Sequence, residues 1–168
     1  MAVARKVMLL GEMGVGKPSL ARRLVHGIFE EDYKATIGVD LYTHAVHAAG
    51  GGRINLTLWD VDGDFGDSIM GHSYLRGSSG AVIVADATRP STFEGMLHLA
   101  RLFQETMPGR PIACAASKLD LTESMPAFEL PPDFRSAGIP LHLTSAKRGT
   151  GIEPLFTGLS ARILERQL

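Results

Sequence analysis

Nine consecutive residues constrain this chain more than any others: Gly11-Glu12-Met13-Gly14-Val15-Gly16-Lys17-Pro18-Ser19. They lie between an apolar run, Val7-Met8-Leu9-Leu10, and a helix-like segment, Leu20 to Ile28. Strand, glycine-rich loop and helix, in that order, is the context in which the pattern G-x-x-x-x-G-K-[ST] carries meaning. Gly11, Gly14 and Gly16 let the backbone curl tightly and turn its N–H groups inward. With the N-terminus of the following helix they form a concave anion site. Lys17 adds a point positive charge for the β- and γ-phosphates of a nucleotide. The alternative is a chance glycine-rich turn at the mouth of an α/β unit, and the flanking strand and helix argue against it.

Position 18 breaks the pattern. A Ser or Thr there would bind Mg²⁺ through its hydroxyl, but Pro18 has neither a hydroxyl nor an N–H. It also disfavours helical geometry at Lys17, although proline in a first helical turn is otherwise tolerated. Ser19 comes one place late, and a helix turns about 100° per residue, so its hydroxyl points elsewhere.

Composition bounds the class. At 168 residues the chain reads as one domain, 1–168, with a sizeable core. Apolar residues make up 45% and charged residues 21%, which argues for a globular protein and against disorder. With a net charge of −1, nothing suggests a broad nucleic-acid-binding surface. Cys114 sits alone in an apolar run and reads as a buried, inert thiol. There is no secretory leader and no apolar run approaching the roughly 18 residues of a membrane span, so the expected location is the cytoplasm.

Along the chain, Lys6–Leu10 reads as a buried strand. Leu20–Ile28 reads as a helix with Leu20, Leu24, Val25 and Ile28 on one face. Phe29–Val39 reads as a loop. Asp40–Ala48 and Arg53–Trp59 alternate as strands about Ala49-Gly50-Gly51-Gly52, which makes a hairpin; Ile54, Leu56 and Leu58 share one face. His44 and His47 fall on opposite faces of the first of these strands and read as solvated or edge histidines. Asp60–Gly80 is glycine-rich and irregular. Ala81–Ala85 is a strand covered on both faces. Ser91-x-x-Glu94 reads as a capping box opening a helix with Phe93, Met96, Leu97, Ala100 and Phe103 inward. Pro111–Ala116 and Ile139–Thr144 are strands, Leu121–Gly138 holds at most a short helix, and Gly151–Gln167 is a helix with Ile152, Leu155, Phe156, Leu159 and Ile163 inward. The alternation gives an α/β fold with a mostly parallel six-stranded sheet, helices on both faces and one antiparallel hairpin.

Further motifs follow the loop in a specific order. They are Ala35-Thr36-Ile37-Gly38-Val39-Asp40, Trp59-Asp60-Val61-Asp62-Gly63, Ser73-Tyr74-Leu75-Arg76-Gly77, Ser117-Lys118-Leu119-Asp120 and Ser145-Ala146-Lys147. They resemble, in turn, the first switch, the W-D-x-x-G of the second switch, the S-Y-Y-R-G after it, the N-K-x-D and the S-A-K of Ras-superfamily small GTPases, closest to the Rab branch. The resemblance runs from about Lys6 to the C-terminus.

It implies a P-loop NTPase G domain acting as a guanine-nucleotide switch, with GTP or GDP and Mg²⁺ as cofactors. Gly11, Met13, Gly14, Val15, Gly16, Lys17, Pro18 and Ser19 would line the phosphates. Asp120 would accept hydrogen bonds from the guanine N1–H and exocyclic amine, which selects against adenine by leaving a carboxylate unpaired with the wrong base. Its alternative is a helix cap or solvated loop acid. Lys118 would lie along the base, beside Ser117. Ser145, Ala146 and Lys147 would border it, with the Ala146 N–H meeting the guanine oxygen. Phe29 would set a ring against the base, or else be a core phenylalanine at a helix end. Thr36 would coordinate Mg²⁺ and sense the γ-phosphate, Asp60 would hold Mg²⁺ through water, and the Gly63 N–H would touch the γ-phosphate. Lys17, Thr36, Gly63 and Asp64 form the candidate catalytic group. Effector, exchange-factor and activating proteins would read the switch loops and the hairpin between them.

Four residues depart from that family's pattern. Pro18 removes a Mg²⁺ ligand. Asp64 stands where a glutamine orients the attacking water. Met13 occupies a position usually filled by a small residue and would crowd an incoming arginine. Ser117 replaces an asparagine, shortening its reach to the base and the loop. The chain also ends at Glu165-Arg166-Gln167-Leu168 without the prenylated cysteines of Rab-type tails. Either a tail lies outside this sequence, or the protein works without a lipid anchor and is recruited to membranes by partners. The leading expectation is a switch with slow or partner-dependent hydrolysis. A pseudo-GTPase scaffold is the runner-up, and an ATP-dependent enzyme conflicts with Asp120 and Ser145-Ala146-Lys147.

Overall fold

A computed structural model describes residues 3–29, 38–61, 73–124 and 127–167. The elements are β1 (Val3–Gly11), α1 (Lys17–His26), β2 (Val39–His47), β3 (Arg53–Val61), β4 (Gly80–Asp86), α2 (Thr92–Thr106), β5 (Ile112–Ser117), a 3₁₀ turn (Leu119–Leu121), α3 (Pro132–Ser136), β6 (Leu141–Leu143) and α4 (Ile152–Glu165). One six-stranded sheet has the order β2-β3-β1-β4-β5-β6. All its pairs are parallel except β2 with β3. The expected hairpin about Gly50 and Gly51 is therefore present, at one edge of the sheet.

Period-two alternation divides the core between the two faces. In β4, Ala81, Ile83 and Ala85 pack with Phe93, Met96, Ala100 and Phe103 of α2 and Phe134 of α3. Val82 and Val84 point the other way, into a cluster with Leu20 and Ala21 of α1 and Leu155, Phe156 and Leu159 of α4. Every residue of β4 and of β5 is buried, which is why both read as continuous apolar runs. In β3 only one face is as deeply covered: Ile54, Leu56 and Leu58 are buried while Asn55 and Thr57 are half-exposed. Cys114 is fully buried within the first cluster, and burial pushes its thiol up to about 12, as an inert thiol requires.

Several boundaries differ from the sequence reading. Helix α1 opens at Lys17, three residues before Leu20, even though Pro18 follows Lys17. The first N–H groups of a helix have no intrahelical acceptor, so proline there forfeits nothing. The helix stops at Gly27, whose N–H donates to the Arg23 carbonyl at 3.0 Å. Ile28 lies beyond that stop and is exposed rather than on a buried face. The capping box of Ser91 and Glu94 is not made. Ser91 already has helical geometry and makes no side-chain cap. The N–H groups of Thr92 and Phe93 donate to the Arg89 and Pro90 carbonyls at 3.0 and 3.1 Å, so a tight turn leads into the helix. In α2, Leu99 is buried alongside the expected stripe, and Leu97 is only partly covered. Strand β6 is three residues long, with Ile139, Pro140 and Thr144 outside it.

Phe156 shows no exposed surface and joins α4 to the sheet. Phe156→Ala should lower the unfolding free energy by about 3–5 kcal/mol. Urea denaturation should show this as a lower midpoint with an unchanged slope.

Candidate functional site

Parallel pairing brings the ends of four strands together. Leu9 stands opposite Asp60, Gly11 opposite Val84 and Asp86 opposite Ser117. Asp60, Gly11, Asp86 and Ser117 thus occupy the carboxyl ends of β3, β1, β4 and β5. The chain goes from β1 to a neighbour on one side, β3, and later to its neighbour on the other, β4. Ligands of open α/β sheets bind at such a switch point.

The glycine-rich loop leaves β1 at Gly11, where a β-carbon would sit 2.6 Å from the Val84 carbonyl oxygen and 2.8 Å from Val15 Cγ2. Only glycine lets β1 and β4 stay paired there. Gly16 has φ of 100° and caps α1 from the left-handed region, which frees Lys17 to begin the helix. Lys17 is buried, its Nζ lying 3.4 Å from the Gly11 carbonyl and 3.7 Å from Asp60 Oδ1. Asp60 is fully buried, so ammonium and carboxylate face each other out of water at the base of the loop.

Three successive loop carbonyls are taken from outside. Arg89 Nη2 donates to the Met13 carbonyl at 2.9 Å, Lys118 Nζ donates to the Gly14 carbonyl at 2.7 Å, and the Ser117 hydroxyl donates to the Val15 carbonyl. The expected loss of reach from Ser117 to the loop is thereby corrected. The loop runs so close that a β-carbon on Gly16 would stand 3.8 Å from Ser117 Oγ, and a short hydroxyl suffices. The same Oγ is 3.0 Å from the Ala85 carbonyl, so two acceptors compete for its one hydroxyl proton.

Asp86 anchors this arrangement, and the sequence reading missed it. Its carboxylate accepts from the Thr88 N–H at 2.8 Å, the Thr88 hydroxyl at 2.6 Å and Arg89 Nε at 3.1 Å, and pairs with Lys118 Nζ at 2.9 Å. The Asp86 N–H in turn donates to the Thr92 hydroxyl at 2.8 Å. A signal was present: Asp86 is an acid at the carboxyl end of a strand otherwise apolar throughout, at the level of Ser117. Burial alone pushes its carboxyl up. The hydrogen bonds from Thr88, Lys118 and Arg89 outweigh that and hold it below the ordinary carboxylate range.

The candidate base loop lies alongside. Lys118 has φ of 60°, a left-handed turn for a residue with a side chain, and this lets its ammonium reach back to the glycine-rich loop. Asp120, half-buried, accepts from the Ser145 hydroxyl at 2.7 Å, and Ser145 is itself buried. The Leu119 N–H donates to the Thr144 carbonyl at 3.1 Å, and the Arg148 N–H to Ser145 Oγ at 3.1 Å. Ser145 thus orients the carboxylate from behind. Ala146 is half-buried and Lys147 exposed. Phe29 is half-buried in irregular chain beyond Gly27 and belongs to neither core cluster, which disfavours the core alternative. Met13 is exposed; Pro18 and Ser19 are half-exposed on the first turn of α1. Thr36, Gly63 and Asp64 lie outside the described residues.

A model of the Ras family matches residues 6–165. The chain is 34% identical to the Ypt/Rab-type GTPase YPT7 of Saccharomyces cerevisiae over 174 aligned positions, covering 96% of this chain and 82% of that protein. It is 31% identical to the Ras-related protein Rab-5B of Plasmodium falciparum, covering 96% and 78%, and 32% identical to human Rab-21, covering 98% and 74%.

The chain belongs to the Ras family. It is a guanine-nucleotide-binding switch of the Ras and Rab type with the fold of a P-loop G domain. The family binds GTP and GDP, typically with Mg²⁺, hydrolyses GTP, and works through regulatory and effector proteins. Among the described residues, no helix is long and apolar enough to cross a membrane.

Because the folded-state carboxyl of Asp86 titrates below its unfolded value, it contributes stability above about pH 4 that is lost as pH falls through the folded pKa. Asp86→Asn should flatten this acid limb of the stability curve. It should also cost about 1–3 kcal/mol at pH 7, since Lys118 and Arg89 lose a charged partner. Urea titrations from pH 7 down to pH 3 on both proteins measure the two effects.

Proposed function

We propose that the Gly11–Lys17 loop holds the nucleotide phosphates, that Asp120 reads guanine, and that this switch hydrolyses GTP slowly without a partner. The observation that carries the reading is the loop with its Met13, Gly14 and Val15 carbonyls all held from behind. A loop so tied presents N–H groups on its other side, as a phosphate requires. Lys17, buried at the base of the loop beside Asp60, supplies the positive charge. Asp120, oriented by Ser145, supplies the carboxylate edge that guanine satisfies and adenine does not. Ala146, with Ser145 and Lys147, contributes the backbone that borders the base.

The oxygen donors fit Mg²⁺ only in part. Asp60 brings a buried carboxylate to the end of β3, and Thr36 brings a hydroxyl, but Pro18 offers no oxygen. Mg²⁺ supplies neutralisation of phosphate charge when bound. With one ligand fewer, its contribution to nucleotide affinity is reduced. Asp64 replaces the usual water-orienting amide by a carboxylate, whose charge opposes that of the γ-phosphate, and exposed Met13 narrows the approach for a partner's arginine. The Gly63 N–H and Thr36 complete the γ-phosphate contacts. Effectors, exchange factors and activators dock on the switch loops and the β2–β3 hairpin, and any membrane recruitment comes through such partners.

Asp120→Ala should weaken GDP binding at least about 100-fold, since two hydrogen bonds to a charged acceptor are lost, and should erase the preference for GDP over ADP. Fluorescent-nucleotide titration measures both; parental affinity in the variant overturns the assignment.

Unassisted turnover should be at or below about 10⁻⁴ per second. Asp64→Gln alone should recover little, because the metal deficit persists. Asp64→Gln with Pro18→Thr should exceed the product of the single effects, as groups acting on one transition state are not additive. Single-turnover phosphate release on the four proteins tests this, and a parent turning over several times per minute refutes it. Pro18→Thr should also make nucleotide release more sensitive to EDTA.

A further inference from the structure

The contacts around Asp86 reach further than a structural tie. Arg89 uses two different nitrogens on two different partners: Nε on Asp86 Oδ2 at 3.1 Å and Nη2 on the Met13 carbonyl at 2.9 Å. Lys118 reaches two partners with its single Nζ, Asp86 Oδ2 at 2.9 Å and the Gly14 carbonyl at 2.7 Å. One buried carboxylate therefore aims two cations at two adjacent carbonyls of the glycine-rich loop. Asp86 is fixed in its turn by both donors of Thr88, and its backbone is pinned to Thr92 at the start of α2. The guanidinium is planar and rigid, so an arginine held at one edge has little freedom at the other.

Arg89 answers a particular weakness of this chain. The hydroxyl of Ser117 carries one proton for the Val15 and Ala85 carbonyls, so it cannot donate to both at once. An amide side chain in its place has two donors.

We propose that Arg89, held by Asp86, is a positioning residue for the nucleotide phosphates: it fixes the Met13 peptide from outside the loop and thereby sets how slowly the bound diphosphate leaves. The inference rests on the reading of Gly11–Lys17 as the phosphate loop. Arg89 meets the loop on its carbonyl side, at the Met13 oxygen. It acts through the peptide it holds, so its effect falls on the phosphate half of the site and not on the base half. The side chain of Arg89 is 44% exposed, and its removal leaves the core intact.

The test is GDP release from the full chain, measured by displacement of a fluorescent analogue. Arg89→Ala should release GDP about 10-fold faster, the loss of one charge-assisted hydrogen bond. The ratio of GDP to inosine diphosphate affinity should stay at the parental value, since the two bases differ only where Asp120 reads them. A general loosening of the Lys118–Asp120 loop would change that ratio. Arg89→Lys keeps a charge for Asp86 but lacks the planar fork that reaches Asp86 and Met13 with separate nitrogens, so it should also release fast while unfolding at the parental temperature. Ser117→Asn placed in Arg89→Ala should slow release again by restoring a second donor. Amide exchange at positions 13–16 in nucleotide-free protein should rise in both Arg89 variants. Parental release rates in Arg89→Lys, or a shifted base ratio in Arg89→Ala, overturn the proposal. Asp120→Ala run in parallel separates the outcomes: fast release there with parental release in both Arg89 variants rejects the role of Arg89 alone.

Discussion

A loop can turn its N–H groups towards an anion only if something else satisfies its carbonyls. Backbone acceptors left unpaired out of water cost free energy, and a short loop has no helix or sheet to pair them. Here the answer is one buried acid. Asp86 collects Thr88, Arg89 and Lys118, and the two cations carry its influence to Met13 and Gly14. Ser117, one strand over, takes the next carbonyl. Without that acid, two cations would compete for water and the loop would keep its peptide planes by chance.

The sheet makes this possible by register alone. Five parallel or antiparallel pairings leave Asp60, Gly11, Asp86 and Ser117 at one rim, and none of these residues is close to the others in sequence. The two hydrophobic clusters, one on each face, lock that register, because a slip of one residue would exchange Ile83 for Val82 and turn each face inside out. Packing thus fixes chemistry at a distance: the placement of Asp86 follows from Ala81, Ile83 and Ala85 facing α2.

Most of the fold was legible because its signals are local and periodic. The apolar run Ala81–Ala85 and the stripe of α4 state their own burial, and the glycine-rich loop between strand and helix announces the phosphate site. What escaped depends on geometry that sequence spacing does not carry. Helix α1 begins at Lys17 because Gly16 adopts a left-handed cap, which outweighs the local preference imposed by Pro18. The Ser91 box is idle because Ser91 already has helical geometry and makes no side-chain cap. Ser117 keeps its contact because the loop comes to it. The acid at position 86 was visible as an oddity at the end of an apolar strand, but its three partners come from Thr88, Arg89 and a lysine 32 residues away on another strand end, which only the pairing of β4 with β5 brings near.

Lys118 ties the glycine-rich loop to the Ser117–Asp120 loop. The left-handed backbone at φ of 60° lets its ammonium reach both the Gly14 carbonyl and Asp86, while its neighbours Leu119 and Asp120 are tied to Thr144 and Ser145. The loop that carries Asp120 and the glycine-rich loop are therefore cross-linked through one side chain. Strain at such a backbone angle persists only where its surroundings over-determine it, and here two acceptors from two elements do so. A substitution that frees Lys118 would relax both loops together, whereas one at Arg89 acts first on the Met13 peptide. Energies measured at these positions will add only when the two substitutions fall on opposite sides of that link.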